Sequence, residues 1–144
     1  FTGIPNCKKI VDVEKEFHLP YNDYSITGKI DLIFRDNDNK LIVLDHKSKK
    51  KFKSKKDQAH YARQLYLYAW TCKSLYDTYP DVLMFNMLRG EPIYIEFNEN
   101  DMQEALDWFD NTVKQIRNAI TFDANVGTFY CNAFCLLGRC ELCE

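Results

Sequence analysis

Four charged residues interrupt two apolar runs near the start of the chain. Lys29-Ile30-Asp31-Leu32-Ile33-Phe34 is followed by Ile42-Val43-Leu44-Asp45-His46-Lys47. Charge set among such residues is costly unless it is paired or binds something. Between the runs lies Asp36-Asn37-Asp38-Asn39, a cluster of turn formers, so the two should form a β-hairpin. With the hairpin centred on Asp38, Asp31 lies opposite Asp45 and Lys29 opposite Lys47. Opposed residues share a sheet face, with Cβ atoms about 5 Å apart. Alternation along the strand puts Asp45 and Lys47 on one face and sends the His46 side chain to the other, where it reads as packing or surface.

Two carboxylates so close repel each other, and desolvation sharpens the conflict. A divalent cation resolves it, and hard oxygen ligands completed by water suit Mg²⁺ or Mn²⁺. Such an ion activates water and neutralises charge building on a phosphate. The neighbouring ammonium could orient or deprotonate that water, or stabilise the phosphorus oxygens. The competing reading is a solvated polar face on a half-exposed hairpin. A calcium loop is excluded, because Lys40 and Leu41 stand where that loop needs a ligand and a glycine.

The elements that must position these residues follow from pattern. Ile10 to Leu19, Ser25 to Arg35 and Lys40 to Ser48 read as strands. Ser54-x-x-Asp57 starts a helix that runs to about Asp77 without Gly or Pro, and its apolar residues nearly surround it from Leu65 to Cys72. Cys72 there reads as a small buried hydrophobe. Val82 to Leu88 and Ile93 to Phe97 flank Arg89-Gly90-Glu91-Pro92 as a second hairpin. Asn100-x-x-Gln103 caps a last helix, with Ala105, Phe109, Val113, Ile116 and Ile120 at helical spacing. The order β-β-β-α-β-β-α predicts an α/β (α+β) fold: a central mixed β-sheet flanked by helices, in one domain over residues 1–144, with an irregular tail from Thr121.

At 46% hydrophobic and 28% charged residues, the 144-residue chain is globular rather than disordered. Its net charge of −2 does not announce a nucleic-acid binder, but seven of the ten residues from Lys47 to Lys56 are Lys. No apolar run approaches the roughly 18 residues that span a bilayer. The expectation is therefore no membrane and a cytoplasmic, reducing setting.

Gly28-Lys29-Ile30-Asp31, then Asp45-His46-Lys47, then Gln64-Leu65-Tyr66-Leu67-Tyr68 together resemble the RecB-like branch of the PD-(D/E)XK nuclease superfamily. That branch carries G-x-x-D on one strand, (D/E)-x-K on the next and Q-x-x-x-Y on the following helix. The resemblance covers roughly the first half of the chain and implies a restriction-endonuclease-like core. It implies a Mg²⁺- or Mn²⁺-dependent deoxyribonuclease, an exonuclease of the recombination, repair, phage or CRISPR-associated kind, leaving a 5′-phosphate. Its partners would be DNA and other recombination or repair proteins, in a bacterial or phage-like setting. Asp31 and Asp45, with the backbone carbonyl of His46, would hold the metal. Lys47 would be the catalytic lysine, and Gln64 and Tyr68 would buttress the site or contact DNA. Lys49, Lys50, Lys51 and Lys53 leave the site directly and are expected on DNA phosphates. The family usually adds a His or Glu from an N-terminal helix. No such helix precedes Ile10, and His18, on a strand, is a poor substitute.

The tail reads Cys131-x3-Cys135-x4-Cys140-x2-Cys143 over residues 121–144. Four thiols in so short a segment could ligate Zn²⁺ or an iron–sulfur cluster. Cys131, Cys135 and Cys140, with Cys7 as a distant fourth ligand, resemble the 4Fe–4S set of several RecB-like nucleases, although the first gap is one residue longer. Two rival functions follow: a non-catalytic DNA-binding module derived from such a nuclease, and an interaction domain built on a four-cysteine metal site.

Overall fold

In a computed structural model, which describes residues 4 and 6–121, the elements run β1 (Cys7–Tyr21), β2 (Tyr24–Asp36), β3 (Leu41–Lys47), α1 (Lys55–Tyr76), β4 (Val82–Met87), β5 (Ile93–Glu96) and α2 (Glu99–Asn118). The strands form one sheet in the order β1-β2-β3-β4-β5. Neighbours are antiparallel except β3 and β4, which are parallel. A parallel pair needs a long crossover, and α1 supplies it. The chain divides into two units, Phe1–Phe109 and Asp110–Glu144. The sheet, α1 and the start of α2 belong to the first. The described part of the second holds the end of α2, where Lys114 pairs with Asp110 at 2.6 Å.

The β2–β3 turn is built by Asp36. Its Oδ1 accepts the N–H groups of Asp38 and Lys40, both at 2.9 Å, and Asn39 takes the left-handed conformation at φ 64°. Asn tolerates that conformation well, which is why it serves in such turns. The resulting register pairs Leu32 with Leu44, Ile33 with Val43 and Phe34 with Ile42, which centres the hairpin on Asp38.

The middle strands are covered on both faces, which accounts for their continuous apolar runs. Ile33, Leu41, Val43, Leu83 and Phe85 pack with Ala62, Leu65, Ala69 and Cys72 of α1. Leu32, Phe34, Ile42, Leu44 and Met84 form a second cluster. By alternation, Asp45 follows Leu41 and Val43 onto the α1 face.

Ser54 caps α1, its hydroxyl accepting the Asp57 N–H at 3.1 Å. The second helix departs from expectation. Asn98, not Asn100, is its capping side chain, accepting the N–H groups of Asn100 at 2.8 Å and Asp101 at 3.2 Å. The helix ends at Asn118, so Ile120 lies beyond it, and its buried residues are Met102, Ala105 and Leu106. Strand β1 is longer than its pattern suggests. Register shifts near Cys7/Lys9 and Ile10/Asp12, and Glu14 at φ 51°, break the alternation that would reveal it. Among the described residues no helix is long and apolar enough to cross a membrane.

Candidate functional site

The sheet forks at the carboxylates. Pairing between β2 and β3 stops at Leu32–Leu44, yet β3 continues beside β4 to Lys47 and β2 continues beside β1. In place of the lost ladder bond, Asp31 Oδ2 accepts the N–H of His46 at 2.8 Å. Asp31 is thereby tied to the backbone between Asp45 and Lys47.

Asp45 is only 3% exposed. Lys47 Nζ sits 2.6 Å from its Oδ2, and that buried oxygen has no other donor among the described residues. Burial pushes the Asp45 carboxyl above its ordinary range; Lys47 opposes the shift and the Asp31 charge adds to it. The Lys47 ammonium also donates to Gln64 Oε1 at 2.9 Å and lies 5.3 Å over the Tyr61 ring and 5.8 Å over that of Phe85. These π-faces favour a cation that is largely removed from water.

Gln64 is held in turn. Its Nε2 donates to the Tyr68 hydroxyl at 2.6 Å, which leaves Oε1 turned to Lys47. Burial pushes the Tyr68 phenol up to about 12, so it stays neutral at physiological pH. The Tyr68 ring meets the Phe17 ring edge-on at 6.2 Å, and Phe17 in turn lies over Gly28. A Cβ at Gly28 would stand 2.6 Å from Phe17 Cζ. The glycine of the G-x-x-D pattern thus gives Phe17 its place, and Phe17 braces the Tyr68–Gln64–Lys47 chain.

The lysine-rich segment is anchored, not loose. Phe52 is buried against Tyr61 and Phe85, and Asp57 accepts the Lys53 N–H at 2.9 Å. Gly90 packs so tightly on the backbone that a Cβ there would lie 2.0 Å from the Lys50 carbonyl oxygen. Lys50, Lys51 and Lys53 are exposed. Lys49 turns inward, donating to the Tyr61 hydroxyl at 2.8 Å and lying 4.0 Å over its ring.

Asp31, Asp45, Lys47, Gln64 and Tyr68 are therefore joined by one set of contacts. Lys29 is not among them: it pairs with Glu14 at 2.7 Å. His46 points away, its Nδ1 lying 3.0 Å from Asn86 Nδ2. His18 is exposed on β1, and Cys7 is half-buried at its start. Cys131, Cys135, Cys140 and Cys143 lie outside the described residues. The sequence reading missed Tyr61, although it stands three residues before Gln64 on the same helical face. It also missed Phe17, whose partners come from other elements.

Among the described residues no three Asp, Glu, His or Cys side chains converge as a metal-holding group. The side-chain donors for a cation are the two carboxylates. They would suit a hard divalent ion nonetheless, because the buried, charged Asp45 Oδ2 has only the Lys47 ammonium beside it among the described residues. The His46 carbonyl and water would complete the shell.

A family model for the PD-(D/E)XK nuclease superfamily matches residues 5–144. With the mixed five-stranded sheet and two helices of the described residues, the architecture is an α+β restriction-endonuclease-like fold. No curated protein matches the chain significantly. The crystal structure of SSO0001 aligns with a TM-score of 0.45 and 22% identity, over 72% of this chain and 49% of that one. The chain thus spans about half the length of that protein.

Proposed function

The chain belongs to the PD-(D/E)XK nuclease superfamily, and we propose that it is a Mg²⁺- or Mn²⁺-dependent deoxyribonuclease of the RecB-like exonuclease branch. The observation that carries this reading is the buried Asp45, with Lys47 at 2.6 Å and Asp31 bonded to the next backbone N–H. Asp31, Asp45 and the His46 carbonyl would hold the cation, which supplies an acidified water and offsets charge on the phosphate.

The chain's own groups do the rest. Lys47, steadied by Gln64 and Asp45, donates to a phosphate oxygen as negative charge builds there. Gln64 and Tyr68 keep the ammonium from swinging into solvent. The water oxygen bonds to phosphorus and releases its proton to solvent, the bond to the 3′ oxygen breaks, and that oxygen takes up a proton from solvent, so the products are a 5′-phosphate and a 3′-hydroxyl. Lys50, Lys51 and Lys53 hold neighbouring phosphates without reading sequence.

The RecB-like assignment is supported by the three motifs falling on β2, β3 and α1 in order. Residues 1–144 would act as one nuclease domain in recombination, repair or phage- and CRISPR-related processing. A thiolate site for Zn²⁺ or a 4Fe–4S cluster in 121–144 rests on cysteine spacing, and metal analysis of the purified protein tests it. The activity is tested with end-labelled DNA and Mn²⁺. Asp45→Ala should abolish cleavage and Lys47→Ala should slow it about 100- to 1,000-fold. Metal-dependent cleavage that persists in Asp45→Ala, or that runs at the wild-type rate in Lys47→Ala, would sink the assignment.

A further inference from the structure

A groove of about 510 Å³ opens within the first unit between α1, β5 and the start of α2, away from the carboxylates. Its walls include Lys55, Arg63 and Tyr66 on α1 and Asp101, Glu104 and Trp108 on α2. The volume suits a ligand of nucleotide size. Trp108 is 39% exposed, a large indole left partly in water. The Arg63 guanidinium stacks on it, 4.4 Å from the ring centroid.

The groove is also connected. His60 lies 6.4 Å from the Trp108 ring and 5.8 Å from the Tyr61 ring, and Tyr61 is the ring beneath Lys47. A continuous strip of rings and cations thus leads from the proposed cutting site to Trp108. Aromatic platforms interleaved with cations are how proteins hold single strands, because every unpaired base offers a π-face. In a duplex those faces are already stacked.

We propose that the Trp108 groove binds an unpaired nucleobase of a DNA strand whose backbone continues to Lys47. The two acids decide base over phosphate. Asp101, oriented by the Tyr66 hydroxyl at 2.9 Å, and Glu104 would repel a phosphate. As acceptors they suit the exocyclic amino group of cytosine or adenine. Lys55 and Arg63 meet the flanking phosphates. Direction toward the cut rests on the nuclease reading; the binding itself does not.

The test uses the whole chain in EDTA, titrated with single-stranded oligo-dC and with a blunt duplex of equal length. The single strand should quench tryptophan fluorescence and the duplex should not. Trp108→Ala should weaken oligo-dC binding about 5- to 150-fold, while Trp108→Phe, which keeps a stacking ring, should retain most of it. Arg63→Ala, at a half-exposed position, gives a second reading that keeps the indole itself while removing the guanidinium stacked on it, and it should also weaken binding. Unchanged affinity in Trp108→Ala and Arg63→Ala, or equal Trp108-dependent binding of duplex, overturns the groove. If wild type still cleaves with Mn²⁺ and Asp45→Ala does not, the nuclease reading survives that result. Trp108-dependent binding with no cleavage at all keeps the groove and removes the nuclease.

Discussion

Gly28→Ala places one methyl group where the chain has no room for it. The added Cβ would lie 2.6 Å from Phe17 Cζ and 2.9 Å from Cε1, whereas carbon atoms rest about 3.5–4.0 Å apart. The overlap is therefore roughly 1 Å. Phe17 is only 8% exposed and is braced edge-on by Tyr68, so its ring yields only by pressing on Tyr68 or by prising β1 from β2. Overpacking of this kind costs about 1–3 kcal/mol. Alanine also restricts the unfolded chain, which returns about 0.4–1 kcal/mol. The net loss is about 1.3 kcal/mol at the middle of these ranges, or roughly 3–6 °C in Tm for a chain of this length. Cleavage should fall as well, because Tyr68 positions Gln64 and Gln64 positions Lys47. Thermal melts of Gly28→Ala, Phe17→Leu and the double variant isolate the contact, since Leu removes the atom that clashes. The double variant should lose less than the two single losses combined. A Gly28→Ala protein that melts with wild type, or losses that add to within about 0.5 kcal/mol, would refute the packing argument.

Asp45→Asn should raise the stability of the metal-free protein at neutral pH. Burial lifts the Asp45 carboxyl above its ordinary 3.8, so the ionised form opposes folding. That opposition is absent below pH 3.8, where the carboxyl is protonated folded and unfolded; it grows as pH rises above 3.8 and is complete once pH has passed through the raised folded value. The gain should be about 0.5–2 kcal/mol in EDTA at pH 7 and should shrink in acid; an Asn variant that melts lower at pH 7 contradicts it. Replacing Lys50, Lys51 and Lys53 together with Ala should flatten the salt dependence of DNA binding, by about 0.7–0.9 in log–log slope for each phosphate no longer neutralised. An unchanged slope removes these lysines from the interface. Tyr68→Phe deletes the acceptor 2.6 Å from Gln64 Nε2. It should lower kcat about 2- to 13-fold with KM little changed, the worth of one hydrogen bond; full activity would show that Tyr68 does not hold Gln64 for Lys47.

The hairpin was legible because its causes are local. Turn formers at Asp36–Asn39 set the centre, alternation set the faces, and together they put Asp31 and Asp45 where the sheet forks. Ser54 announced the start of α1 for the same reason. What pattern could not show depends on residues far apart in the chain. Lys29 was drawn toward the site by register alone, but Glu14 on β1 takes it outward. Lys49 stands in the same run as five exposed lysines, yet Tyr61 gathers it in. Nothing near Gly28 reveals that Phe17 fills its place, and nothing near Trp108 reveals Arg63 stacked on it. The cap of α2 moved from Asn100 to Asn98 because both side chains satisfy the same local rule and the chain's path selects one.

Under the proposed function, Asp31 and Asp45 jointly hold a divalent cation at the fork of the sheet. Crystals of the wild-type chain soaked in Mn²⁺, with anomalous difference density measured at the Mn absorption edge, address it directly. A peak should appear between the two carboxylates beside the His46 carbonyl and be missing in Asp45→Asn crystals soaked the same way. No peak there, or a peak that persists without the Asp45 carboxylate, would contradict it.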